Sequence, residues 1–461
     1  MVIGRIADAV SGGAEALTRP FLAPFDTSLR LGVTGLSRSG KTVFVTSLVA
    51  NLLDRGRMPA LTAAPRIEAA YLQPQPDDTV PRFDYEANLR ALTGPEPRWP
   101  DGTRAVSELR VSMRVRAGGL LSGLGGARVG HLDIVDYPGE WLLDLSLMDL
   151  DYEAWSARTL ARLATWDVPY QPDVDGAARL EEPTAKALAA EYTAALHAAR
   201  EAGAYDLTPG RFLLPGEMEG SPALTFAPLP PGAAPRGSLR AEFARRFEAY
   251  KARVVQPFFR RHFARIDRQV VLLDVLEAIR RGPRALAEMR EAMTDILRAF
   301  RPGRAGWLLR LLGQSRIDRI LFAATKADHL HHSQHARLQA VLEALVRDAR
   351  DRADFAGAET RAIALAALRT TTEETRDVDG VQVDLVRGRL LDGRNVALHP
   401  GDLPDDPSRL LAQAAEGAPR WLDGDYDVMA FAPAPDTLCR GEGPPHIRLD
   451  RAAEFLLGDR L

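Results

Sequence analysis

The run Gly35-Leu36-Ser37-Arg38-Ser39-Gly40-Lys41-Thr42 constrains this chain more than any other part of it. It fits GxxxxGK[ST] and stands between an apolar strand candidate, residues 29–34 (LRLGVT), and a helical apolar stretch, TVFVTSLVANLLDRG, that stops at Gly56. Such a turn converges backbone N–H groups on anionic oxygens, and glycine permits both the turn and the close approach. The helix that opens behind it adds the positive end of its dipole. Lys41 is placed to reach the β- and γ-phosphates. The Thr42 hydroxyl is placed to hold Mg2+, which takes hard oxygen ligands. Ser37, Arg38, Ser39, Gly40 and Val43 complete the expected cradle. Arg38 has three readings: a phosphate contact in cis, one in trans in a dimer, or a solvated loop residue. The pattern implies a nucleoside triphosphate and does not choose the base.

A second phosphate contact is expected at HLDIVDYPGE, residues 131–140. Asp136 closes a strand and opens Asp-x-x-Gly, where a carboxylate can hold a water of the Mg2+ shell and the Gly139 amide can sense the γ-phosphate. Asp133 falls on the opposite strand face and is expected to be structural. Glu140 is a candidate for orienting water, with a solvated helix start as the alternative. Thr103, in WPDGTRAVSELR, is placed to complete the Mg2+ shell; Thr93 and Thr79 lie farther from the following strand.

Thr325-Lys326-Ala327-Asp328 follows the apolar strand IDRILFAA. A carboxylate there suits guanine, whose N1–H and 2-amino group form a bidentate pair, whereas adenine presents an acceptor at N1. Lys326 is expected to lay its stem along the base. Ala366 and Ala367 stand where a backbone contact to guanine is expected. His329, His331, His332 and His335 follow at spacings of three and four. A metal site and an exposed helix start both account for them, and no nearby cysteine supports the metal.

Strand and helix patterns alternate along the chain, predicting a mixed α/β sheet. SELRVSMRVR alternates cleanly and predicts an antiparallel edge strand with one wet face, paired as a hairpin with 129–135 through the glycine-rich connection 117–127. Residues 57–102 read as irregular. Residues 141–268 read as helical, interrupted at 207–237. Strands are expected at 269–275, 317–324, 361–368 and around 381–398, and helices at 283–300, 332–352 and 448–457. The expected layout is an N-terminal helix and the first part of a G domain at 1–57, an irregular insertion with the first switch at 58–102, G-domain strands and the second switch at 103–140, a helical insertion at 141–268, the second G-domain part at 269–372 and a β-rich extension ending in a helix at 373–461. Phe243, Phe247, Tyr250 and Val254 form one stripe, opposed by Arg245, Arg246, Lys251 and Arg253. It reads as core packing, with a membrane-surface or partner face as the alternative, and Trp307–Leu312 reads the same way.

Composition narrows the setting. The chain has 461 residues, 46% of them hydrophobic, and a net charge of −3, so no overall field draws it to nucleic acid or anionic membrane. The single cysteine, Cys439, suits a reducing compartment. Neither a signal peptide nor a membrane-spanning run is evident, so a cytoplasmic protein is expected, with peripheral membrane contact left open. Lysine occurs only at Lys41, Lys186, Lys251 and Lys326; the other basic residues, 59 in all with the lysines, are arginine. Lys41→Arg is therefore expected to be costly, and Lys186→Arg and Lys251→Arg nearly silent.

The segments GLSRSGKTVF, PRFDYEANL, WPDGT…SELR, VDYPGEWLLDLSL, AATKADH and PHIRLDRAAEFLLGDRL resemble the YcjX-like family of bacterial P-loop proteins across residues 28–461. The resemblance implies an α/β P-loop NTPase G domain with large helical insertions, which binds and hydrolyses GTP in a stress-associated setting. It carries over Ser37 to Phe44, Asp136, Gly139, Lys326 and Asp328. Thr325 replaces the asparagine, and Glu140 the glutamine, of the wider GTPase pattern. The expected ligands are GTP or GDP with Mg2+, and the expected partner is a protein bound through the helical insertion. An ATPase or phosphotransferase, and a nucleotide-stabilised scaffold without turnover, remain as alternatives.

Overall fold

The computed structural model describes residues 28–36, 38–116, 127–298, 317–355, 357–416, 430–435 and 438–461. Ser37, most of the connection 117–127 and the stripe Trp307–Leu312 lie outside the described residues.

Strands β1 (Leu29–Gly35), β2 (Ile67–Gln73), β3 (Ser107–Val115), β4 (Arg128–Asp136), β5 (Arg268–Leu273), β6 (Arg319–Ala324) and β7 (Glu359–Ala364) form one sheet in the order β2-β3-β4-β1-β5-β6-β7. β4, β1, β5, β6 and β7 run parallel; β3 is antiparallel to β4, and β2 to β3. This parallel-dominated mixed sheet is consistent with a P-loop GTPase-like fold. The central strands are apolar on consecutive residues because both faces are covered. Val270 and Leu272 enter one core with the helices Lys41–Leu53 and Leu449–Leu457; Val271 and Leu273 enter the other, with the helices between β4 and β5. Since all parallel strands point one way, Gly35, Asp136, Leu273 and Ala324 end at one sheet edge. Ligands of open α/β sheets bind outside this carboxyl edge.

Between β4 and β5 lie the helices Tyr152–Thr165, Glu182–Ala202, Leu239–Tyr250 and Gln256–Arg261. Phe243, Phe247 and Tyr250 are fully buried, so the stripe is core and the surface alternative falls away. Trp155 stacks on Phe247 at 5.0 Å and meets Phe226 edge-on at 5.4 Å. Each such burial stabilises by about 1.5–3 kcal/mol. The proline-rich stretch 207–237 contributes Phe212, Phe226 and Leu229 to this core rather than looping away from it.

Several expectations need correction. Residues 57–102 contain β2 and a helix, Tyr85–Thr93, whose start is capped by Asp84 accepting from the Ala87 amide at 3.2 Å. β2, an outer strand half-exposed on both faces, carries no apolar alternation to mark it. Its presence makes β3 an interior strand, and the wet face of β3 is partly dried by a bidentate pair from Arg110 to Asp133 at 2.6 and 2.8 Å. The helix read at 332–352 is two, His335–Leu345 and Arg347–Phe355. A second sheet of three antiparallel strands, β8 (Thr371–Val378), β9 (Val381–Arg389) and β10 (Asn395–Leu398), begins earlier than the alternation at 381–398 suggested. Its polar strand TTEETRDV lacks the apolar signal.

Candidate nucleotide site

The turn after β1 has the backbone geometry that an anion site needs. Gly40 takes φ 82° and Arg38 φ 62°, both in the left-handed region, and the helix Lys41–Leu53 opens immediately behind. Lys41 is buried and its Nζ donates to the Gly35 carbonyl at 2.8 Å, which leaves two donors for a ligand. Ser39 is buried, Arg38 exposed, and Thr42 and Val43 half-buried.

Asp136, at the end of β4, comes beside this turn and is buried. Burial pushes its carboxyl up to about 6, opposed by the nearby Lys41 charge and by a hydrogen bond from Thr103. That bond runs from Thr103 Oγ1 to Asp136 Oδ2 at 2.7 Å. The same loop reaches Thr42, whose hydroxyl donates to the Asp101 carbonyl at 3.3 Å. Thr42, Thr103 and Asp136 are thus brought together from three separate segments. Glu140 is buried, not solvated, and opens the short helix Glu140–Leu143. Ser39 Oγ, Asp136 Oδ1 and Glu140 Oε2 are buried without a protein partner. Buried polar atoms ordinarily find partners. Mg2+ with its waters and a phosphate chain would supply them, so the residues fit that group.

The loop at residues 325–328, expected to read the base, sits at the end of β6. Thr325 ties β6 to β5 through its amide, 2.9 Å from the Leu273 carbonyl, and its hydroxyl at 3.3 Å. Lys326 takes φ 60°, and its ammonium pairs with Asp274. Asp328 is buried, and its Oδ2 accepts from the Thr370 amide at 2.8 Å and the Thr370 hydroxyl at 2.7 Å. The Thr371 hydroxyl donates to the Asp328 carbonyl. These bonds fix the carboxylate's plane and leave Oδ1 outside the clamp. The Ala366 amide is already donated to Ile447, 3.0 Å away, because the terminal segment crosses there; Ala367 is buried beside it. His329, His331 and His335 are buried rather than an exposed helix start, and the helix opens only at His335.

The match to known proteins spans the whole arrangement. Residues 29–461 match the YcjX-like family, DUF463. The chain belongs to that family. A protein of Escherichia coli (strain K12) named Ras-like GTPase YcjX is 39% identical over 459 residues, covering 95% of this chain and 96% of that protein. One of the same name from Shewanella oneidensis (strain MR-1) is 34% identical over 470 residues, covering 95% of each.

In this member of the YcjX-like family, the structure brings Asp274, Thr370 and Asp101 to the site beside the residues expected there. Asp274 anchors Lys326 with Oδ2 while its Oδ1 caps the helix Val275–Arg281 through the Glu277 amide at 3.1 Å. Its N-cap position was a readable signal. Thr370 acts from a loop without a motif, and Asp101, inside WPDGT, acts through its main-chain carbonyl, which no side-chain pattern marks.

Proposed function

We propose that this chain binds guanine nucleotide with Mg2+ and hydrolyses GTP, as a cytoplasmic nucleotide-dependent switch in a stress-related process. The observation that carries the reading is that Asp328, held by Thr370 at the end of β6, shares one sheet edge with the buried Lys41 and Asp136 and the half-buried Thr42 and Thr103. The relatives' name, Ras-like GTPase, supports it.

In this reading Lys41 and the Gly40 turn bind the phosphate chain, and Thr42, Thr103 and Asp136 surround Mg2+, which neutralises charge developing on the phosphates. Gly139 senses the γ-phosphate. Glu140, buried and without a partner on Oε2, orients the attacking water. The helices of 141–268 form an insertion within the G domain. Asp144 connects them to the γ-phosphate segment: it accepts from the Gly210 amide at 2.7 Å and from the Tyr250 hydroxyl. That insertion is the working surface toward a protein partner.

Calorimetry with Mg2+ tests the base. GTP and GDP are expected to bind and ATP not, and Asp328→Asn is expected to favour xanthosine triphosphate. Equal binding of ATP would sink the guanine reading. Phosphate release unchanged by Lys41→Ala would remove this site from the chemistry.

A further inference from the structure

Four side chains from three segments converge beside the loop that follows Asp328. His331 and His332 come from the loop behind Asp328, Glu373 from β8 and Asp384 from β9. His332 Nδ1 lies 2.6 Å from Glu373 Oε2, and His331 Nε2 lies 3.9 Å from the same oxygen. The two imidazole rings are 4.2 Å apart between centroids. Donor atoms of His331, His332 and Glu373 all fall within 4.8 Å of one another.

We propose that His331 Nε2, His332 Nδ1 and Glu373 Oε2 bind one divalent transition ion, best matched by Zn2+, which staples the loop behind Asp328 to the three-stranded sheet. The inference does not depend on which nucleotide the chain binds. Zn2+ bonded at about 2.0–2.2 Å in tetrahedral geometry sets its donor atoms roughly 3.3 Å apart. The observed 2.6 and 3.9 Å bracket that spacing, and His332, 69% exposed, is free to adjust. Two nitrogen donors disfavour Mg2+ and Ca2+, which take oxygen ligands.

The surroundings are those of a ligand set and not only of an ion pair. His331 is buried, and its Nδ1 lies 3.0 Å from Asp384 Oδ2. A metal-bound imidazole characteristically gives its other N–H to a carboxylate, which fixes the tautomer with Nε2 free to ligate. The Ser333 amide approaches the same Nδ1 at 3.4 Å, and the Ser333 hydroxyl at 2.9 Å. With the proton on Nδ1 the Ser333 amide is not bonded to it, and the Ser333 hydroxyl competes only as a neutral acceptor beside the charged Asp384. Asp384 is itself held by Ser333 Oγ at 2.9 Å and by Thr375 Oγ1 at 3.0 Å. Arg369 lies 3.7 Å from Glu373 Oε1, which leaves Oε2 toward the rings. Water completes the coordination on the exposed His332 side. Glu373 follows Thr370 and Thr371, so the ion would brace the strand that grips Asp328.

The test is a titration of chelator-stripped, full-length protein with Co2+ in excess Mg2+, followed by displacement with Zn2+. One equivalent of Co2+ is expected to bind with the visible absorption of a low-coordinate site, and Zn2+ to abolish it. The double substitution His332→Ala, Glu373→Gln is expected to lower Co2+ affinity at least tenfold with unchanged circular dichroism. Asp384→Asn should weaken binding about tenfold, as loss of an outer carboxylate does. His197→Ala, remote in the helix Glu182–Ala202, should change nothing. Absence of saturable one-to-one binding, or binding that survives the double substitution, would overturn the proposal.

Discussion

A Cβ placed on Gly139 would stand 2.2 Å from the Gly35 carbonyl oxygen and 3.2 Å from the Leu36 amide nitrogen. The Gly139 segment therefore lies directly on the first residues of the turn after β1, backbone against backbone. The Gly35 carbonyl also receives Lys41 Nζ, so one oxygen joins the glycine, the lysine and the turn. Gly139→Ala must displace one of them. Its GTP affinity is expected to fall about tenfold or more, about 1.4 kcal/mol. Titration calorimetry would detect this, and an unchanged GTP affinity would deny the contact a role.

Thr103 holds the buried Asp136 carboxylate. Thr103→Val removes the hydroxyl and leaves that carboxylate short of a donor, a loss of about 1–3 kcal/mol. Turnover at saturating Mg2+ is expected to drop at least tenfold, and Thr103→Ser to recover most of it. Equal rates for the valine and serine variants would show that the hydroxyl is idle.

Thr370 orients Asp328 with two hydrogen bonds. Thr370→Val keeps the amide and deletes the hydroxyl. We expect guanine nucleotide affinity to fall about tenfold through a freer carboxylate, consistent with about 1.5 kcal/mol for a hydrogen bond to a charged group. A fluorescent GDP displacement assay measures it, with Thr370→Ser as the variant that should restore binding.

Asp144 gives a pH dependence with a definite sign. Burial pushes its folded-state carboxyl from the ordinary 3.8 up to about 7, although Tyr250 and the Gly210 amide pull the other way. The folded state thus binds this proton more tightly than the unfolded state does. Its contribution to stability falls as pH rises from about 4 to about 7 and is level beyond, by an amount on the order of a few kcal/mol. Asp144→Asn retains a partner for both Gly210 and Tyr250 and does not titrate. Melting temperatures of the two proteins between pH 5 and pH 8 should diverge, with wild type losing ground. Parallel curves would refute the shift.

Lys251 departs from the sequence expectation of a silent Lys251→Arg. It is buried, with Nζ 2.8 Å from the Leu150 carbonyl, 2.7 Å from Glu248 and over the Phe247 ring at 5.0 Å. A guanidinium is planar and broader than the ammonium held there. Lys251→Arg should destabilise by about 1–3 kcal/mol, whereas exposed Lys186→Arg stays within about 0.5 kcal/mol. Chemical denaturation distinguishes the two.

What the sequence by itself determined is local chemistry tied to chain direction. The glycine-flanked lysine at 41, the aspartate at 136 and the lysine–aspartate pair at 326 and 328 each follow an apolar strand, and apolar runs buried on both faces are hard to misread. The hairpin of β3 with β4 was legible for the same reason, as a periodicity of two. Three-dimensional packing alone decided the rest. β2 is largely exposed without a clear buried face, and β8 is polar, so each becomes a strand where a neighbour offers its free edge. Thr370, Asp274, Glu373 and Asp384 gain their roles by meeting residues far away along the chain, with no spacing to announce it. Short-range periodicity records which face of an element is buried. It does not record which side chains from other elements arrive there, and those arrivals hold Asp328 in place and gather the histidine cluster.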